Sequence, residues 1–251
     1  MDSLIQTYAP ILKFHHNETY YPCSIEFYLN NSVKYQDQRE IAGVHSITPE
    51  NLCDPDDTKT SKLSIQPDAW ADGFNSSTPI YATTYSTSLY HVIQYIFLYA
   101  YNGSVNVLGI FPVGEHQCDI ERITVQVSKA TNMIEHIYYG AHTHTNGLWV
   151  SGNDIEFSGS RPVVYIAKHT HATYPQAKTY HRFFGFGNDH TSNTGIHWSP
   201  ETVRVIDDDT NWNNFKGKLG YPKECPTPKH HLWWKDENGK STTPWKRFLG
   251  L

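Results

Sequence analysis

The sequence predicts a mostly β protein, an antiparallel β-sandwich with long irregular loops, and three observations predict it. Tyr, Thr, Val and Ile fill many short runs, and these residues suit a pleated, half-buried surface. The 16 Gly and 14 Pro punctuate those runs, while only 2 Met are present. The runs recur at roughly 10-residue spacing with turn signals such as "NGS", "TNG" and "SGND" between them, as in a sandwich of antiparallel sheets.

In chain order the expected strands are "PIYATTYST", "HVIQYIFLYAY", "ERITVQVS", "IEHIYYGAH", "LWVSG" and "RPVVYIAKH". Before them, residues 36–65 form the most polar stretch, expected as an insertion or lid between strands. After them, residues 205–251 read as an irregular Trp-rich cap, with Trp212, Trp233, Trp234 and Trp245 over the core. With no repeat and no composition break, residues 1–251 are expected to form one domain.

Composition excludes several classes. The net charge is −5 and the basic residues are dispersed, so no nucleic-acid partner is expected. The longest apolar run, Tyr90 to Tyr101, is about half a membrane span and contains His91 and Gln94, so it reads as a buried strand rather than a transmembrane segment. "MDSLIQTYAPILKF" lacks a basic region followed by an apolar one, so a cytoplasmic location is expected. Cys23, Cys53, Cys118 and Cys225 have no CxxC pairing and read as free thiols.

The chemistry gathers at strand ends. In "GEHQCDIERITVQV", Ile123, Val125 and Val127 share one parity of a strand, and that parity extended backwards collects Glu121 and Asp119. Two carboxylates on a core-facing stripe need a cation or hydrogen-bond donors, since losing their hydration costs several kcal/mol. The 15 histidines supply candidates. In "IEHIYYGAHTHTNG", His142 and His144 share parity with Tyr138. In "RPVVYIAKHTHATYP", His169 and His171 share parity with Tyr165. Read as extended strands, each "HTH" places both imidazoles on the apolar face, and His116 lies in the turn before Asp119. Convergence of these tips would make a mixed imidazole–carboxylate pocket suited to a divalent cation, or an acid–His cluster holding no metal.

There is no GxSxG, HExxH, GxxxxGK[ST] or strand-linked GxGxxG, which disfavours serine hydrolases and nucleotide enzymes. Acid–base or metal chemistry through His and carboxylate stays open, with His171 and His142 as general acid/base candidates.

Several ordered blocks resemble the vacuolar protein sorting-associated protein 62 family: "YAPILKFHHNETYYPCSIEFYL", "IQYIFLYAYNG", "GEHQCDIERITV", "RPVVYIAKHTHATYP" and "NDHTSNTGIHW". More distantly, "EHQCDIE" is similar to the "GHRHDWE" signature of the necrosis-inducing cytolysins of plant-associated microbes. That resemblance implies a β-sandwich with a divalent-metal site at His116, Asp119 and Glu121; the donor set leaves the ion open among Mg, Ca, Mn and Zn. It also implies a polar ligand such as a glycan or lipid head group, and peripheral contact with a membrane. The departures are Glu115 in place of Gly, Cys118 in place of the second His and Ile120 in place of Trp. They put membrane lysis in doubt. His144 and His169 are further pocket candidates.

Two functions are therefore expected to compete. One is a metal-dependent binder of a polar ligand at the His/carboxylate site. The other is an enzyme using the same pocket for hydrolysis, elimination or cyclisation of a small molecule.

Overall fold

The computed structural model describes residues 1–57, 60–107, 111–182, 187–207 and 209–221, and within them all side chains but those of residues 106, 107, 111 and 143–146. A short helix α1 (Asp2–Thr7) leads into strand β1 (Ile11–Phe14). Helix α2 (Ile25–Asn30) follows, started by Ser24, whose side chain accepts from the Phe27 N–H. Next come β2 (Ser32–Gln36), β3 (Arg39–Ala42) and β4 (Lys62–Ile65). The long strands are β5 (Ile80–Ser86) and β6 (Tyr90–Asn102), then, after the ribbon β7 (Val105–Val107) and β8 (Phe111–Val113), β9 (His116–Ser128), β10 (Ile134–Ala141) and β11 (Thr143–Ser151). Short strands complete the fold: β12 (Phe157–Ser158), β13 (Arg161–Ile166), β14 (Thr173–Tyr174), β15 (Thr179–Tyr180), β16 (Asp189–His190), β17 (His197–Trp198) and β18 (Val203–Val205).

Two sheets carry the sandwich. The larger runs β11–β10–β9–β6–β5–β18, and the smaller runs β12–β13–β1–β17 with β14 beside β13. Most neighbours are antiparallel, as expected, but β1 pairs with β13 and β18 with β5 in parallel, so both sheets are mixed. Between the sheets lie Ile93, Tyr95, Phe97 and Tyr99 of β6, with Ile123, Val125 and Val127 of β9. They pack on Leu12, Phe14, Val164, Ile166 and Trp198. The opposite parity, Ile96, Leu98, Ala100, Cys118 and Ile120, packs on Tyr28 and Leu29 of α2 and on Leu63, Ile65 and Trp212. The large sheet is thus covered on both faces here, which explains the unbroken apolar run of β6. Each such large side chain contributes about 1.5–3 kcal/mol by leaving water.

The polar stretch 36–65 is tied down rather than free. β3 and β4 both pair with β2. Behind them Lys34 Nζ meets both oxygens of Asp57, at 2.8 and 2.9 Å, and donates to Leu52 O at 2.7 Å. Asp57 also accepts from the Asp54 N–H and the Ser61 hydroxyl. Both charged side chains are buried, so the loop is held by an ion pair whose remaining valences are satisfied. Of the tryptophans expected over the core, Trp212 is buried edge-on against Tyr81. Trp233, Trp234 and Trp245, like Cys225, lie outside the described residues. Among the described residues Cys23, Cys53 and Cys118 form no disulfide with one another.

Candidate functional site

Asp119 and Glu121 lie where the alternation of β9 places them, each only 5% exposed. What meets Asp119 is His171. Its Nδ1 stands 2.9 Å from Asp119 Oδ2 and its Nε2 stands 3.0 Å from Tyr20 O. A carbonyl oxygen can only accept, so Nε2 carries a proton, and one more proton is shared between Nδ1 and the carboxylate. On the Nε2 side lies a second acid, Glu18 Oε1, at 3.8 Å. The His171 ring is fully buried and lies flat on Tyr99, centroids 3.8 Å apart with planes 3° apart. Burial first, then the charges of Asp119, Glu18 and Glu121, push the Tyr99 hydroxyl well above its ordinary range. That hydroxyl is buried with no hydrogen-bond partner among the described residues.

The turn that delivers His171 is built differently from the expectation. β13 ends at Ile166, and residues 167–172 turn back into β14, with Ala167 and Ala172 bonded across the turn. His169 and His171 hold φ of 65° and 53°, so they share a left-handed turn and not one face of a strand. Strand β10 likewise ends at Ala141, and His142, φ 59°, is the hinge into antiparallel β11. Parity counting failed at both because it presumes extended backbone. His144 belongs to β11, but its side chain lies outside the described residues.

One turn thereby engages three acids. The His169 N–H donates to Glu18 Oε2 at 2.7 Å, the Thr170 hydroxyl to Asp189 Oδ1 at 2.8 Å, and His171 holds Asp119. The other Glu18 oxygen accepts from the Thr19 and Tyr20 N–H groups. Asp189 also receives His142 Nε2 and the Tyr174 hydroxyl, each 2.6 Å from Oδ2, with an Arg182 guanidinium nitrogen 4.0 Å away. Burial would raise the Asp189 carboxyl, but the bonds from His142, Tyr174 and Thr170 outweigh it and hold it below the usual carboxylate range. Glu18 and Asp189 were not among the residues singled out by sequence: Glu18 lies between elements and Asp189 in the two-residue strand β16, too short for periodicity to speak.

His116 takes another direction. Its Nδ1 donates to Cys118 O at 2.7 Å, across a residue that itself holds φ 56°. Among the described residues no three His, Cys, Asp or Glu side chains are grouped as ligands of one cation.

Beside the buried acids aromatic side chains pack in a row. Trp70 stacks on Tyr101 (4.0 Å, 9°), Tyr101 meets Tyr20 (5.0 Å), and Tyr20 meets His169 (5.9 Å). Trp70, Tyr20 and His169 are half-buried, and the Tyr101 hydroxyl donates to Glu115 at 3.2 Å. Gly103 lies beneath the row. A Cβ there would come within 2.8 Å of the Tyr20 ring and 3.0 Å of His169, so only glycine allows the close approach. No helix among the described residues is long and apolar enough to cross a membrane.

A search of curated proteins finds no match. Among solved structures, the crystal structure of Necrosis and Ethylene inducing Protein 2 from the causal agent of cocoa's Witches Broom disease is 13% identical. It has a TM-score of 0.43 over 80% of this chain and 72% of its own. NLPPya in complex with glucosamine is 14% identical with a TM-score of 0.43 (81% and 71%). The non-toxic HaNLP3 protein is 11% identical with a TM-score of 0.44 (81% and 74%). The family model described as vacuolar protein sorting-associated protein 62 matches residues 1–198, a span that holds Glu18, Asp119, His142, His171 and Asp189 alike. The chain belongs to the vacuolar protein sorting-associated protein 62 family.

Proposed function

We propose that the protein binds a polar ligand of the sugar class, free or as a lipid head group, on the row Trp70–Tyr101–Tyr20–His169. The observation that carries this is the row itself: half-buried Trp70, Tyr20 and His169 packed around the buried Tyr101, whose hydroxyl meets the Glu115 carboxylate, on a base fixed by Glu18, Asp119 and His171. Aromatic faces supply apolar area for a sugar's C–H surface, and the carboxylate and imidazole supply orienting hydrogen bonds. The fixed base keeps the groups in place before the ligand arrives, which lowers the entropic cost of binding. Titration of the purified chain with glucosamine, whose ammonium suits Glu115, tests the reading by heat release or amide shifts. Saturable binding weakened about 10-fold or more by Tyr101→Ala supports it. Equal binding by Tyr101→Ala and the parent chain would remove the row from the site.

A divalent cation (Mg, Ca, Mn or Zn) at His116, Asp119 and Glu121 has less support, because Asp119 already holds an imidazole N–H and His116 is turned to a carbonyl. Elemental mass spectrometry of the dialysed protein decides it. Near-stoichiometric metal that disappears in the Asp119→Ala, Glu121→Ala double variant would add the ion to the site. No metal, even after each cation is supplied, would leave His171 as the partner of Asp119.

A further inference from the structure

The second imidazole–carboxylate pair is built unlike the first. His171 is enclosed, with both nitrogens bonded to acceptors. His142 is not: its side chain is 19% exposed, while that of its partner Asp189 is wholly buried. We propose that His142 and Asp189 form an acid–base dyad that hydrolyses a carboxylic ester, with His142 Nδ1 as the reacting nitrogen. This site is separate from the aromatic row, and the proposal does not rest on the ligand-binding reading.

Asp189 accepts from His142, Tyr174 and Thr170. Such an acid stays ionised and fixes the ring, so the proton of the neutral imidazole belongs on Nε2. That leaves the lone pair on Nδ1, for which no hydrogen bond is described among the described residues. A base oriented by a buried acid, with its other nitrogen available, is the arrangement of an acid–base catalyst. The backbone adds to this. His142 holds φ 59° at the hinge between β10 and β11, a conformation that costs of order 1–3 kcal/mol in a non-glycine residue and gathers at functional sites. Arg182 approaches the same Asp189 oxygen that holds His142 Nε2, so guanidinium and imidazole share one carboxylate. The pairing of a base with a cation suits a carbonyl oxygen that becomes negative during attack.

The chemistry closes with water as the only co-reactant. Nδ1 removes a proton from water as the new C–O bond forms, and the carbonyl electrons move to oxygen beside Arg182. When the intermediate collapses, the bond to the alcohol oxygen breaks and the imidazolium returns its proton to that oxygen. Ester and water become acid and alcohol, and the dyad is restored.

The test follows 4-nitrophenol release from 4-nitrophenyl acetate by the full chain, across the pH range in which an imidazole titrates. The expected result is a rate that rises with imidazole deprotonation and falls by about 100-fold or more in His142→Gln. Asp189→Asn lowers it about 10-fold or more, and Tyr174→Phe, which keeps the carboxylate, shifts the pH profile and leaves KM unchanged. His91→Gln, at the opposite end of β6, serves as the control and retains the parent rate. Circular dichroism melting establishes that each variant is folded. A parent rate no greater than that of folded His142→Gln, or equal losses in His142→Gln and His91→Gln, would overturn the proposal. So would a pH profile that Tyr174→Phe and Asp189→Asn leave unmoved.

Discussion

The His171 imidazole lies parallel to the Tyr99 ring, 3.8 Å between centroids, with an acid at each edge. The ring is at once the core filling under the aromatic row and the donor that lets Asp119 be buried. Its removal leaves Asp119 with a lost donor in a place water does not reach. His171→Ala is expected to cost about 3–5 kcal/mol, read from urea unfolding. A loss under about 1 kcal/mol would mean that Asp119 is met by something else.

Tyr99 itself carries a hydroxyl with no partner among the described residues, and an unsatisfied buried donor costs about 1–3 kcal/mol. Tyr99→Phe keeps the stacked ring and removes the hydroxyl, so it is expected to be neutral or stabilising in a thermal melt. Clear destabilisation would reveal a partner for that oxygen, an ordered water or an ion.

Asp189 gives the pH dependence. Its folded carboxyl holds a proton less tightly than an unfolded one. Its contribution is therefore present above the ordinary carboxylate pKa and is lost as pH falls through the lower folded value. Asp189→Asn should be less stable than the parent by about 1–3 kcal/mol at neutral pH, and the gap should close in acid. The groups facing Asp189 are His142, Tyr174, Thr170 and Arg182. A gap that is constant with pH would exclude an ionised Asp189.

The Lys34–Asp57 pair predicts how the polar stretch behaves. Asp57→Ala strands a buried ammonium and is expected to cost about 3–5 kcal/mol in chemical denaturation. It should also open residues 36–57 to limited proteolysis. Unchanged cleavage would show that strand pairing with β2 holds the stretch without the ion pair.

Much of this was legible in the sequence. The parity of β9 placed two acids on a buried stripe, because a strand's period of two survives any tertiary detail. β10 followed the same parity, whereas β6 came from the length of its apolar run, which shows no alternation. Past Ala141 and Ile166 the rule misled, because nothing in "GAHTHTNG" or "AKHTHATY" marks a left-handed residue as a glycine would. Histidine enters that conformation more readily than most side chains, which was the available cue. Glu18 and Asp189 were missed for a related reason: a loop, or a strand of only two residues, carries no period from which burial can be read.

The left-handed turn at 167–172 also sets a course for laboratory evolution. A library selected only for thermal survival should move His169 toward Gly or Asn, because its contact with Glu18 is made by the backbone N–H and survives the change. His171, with the same backbone cost, should resist, since its ring alone reaches Asp119. Two neighbouring histidines in one conformation would thus diverge in such an experiment, and a lineage that keeps His169 would be reporting selection for something other than stability.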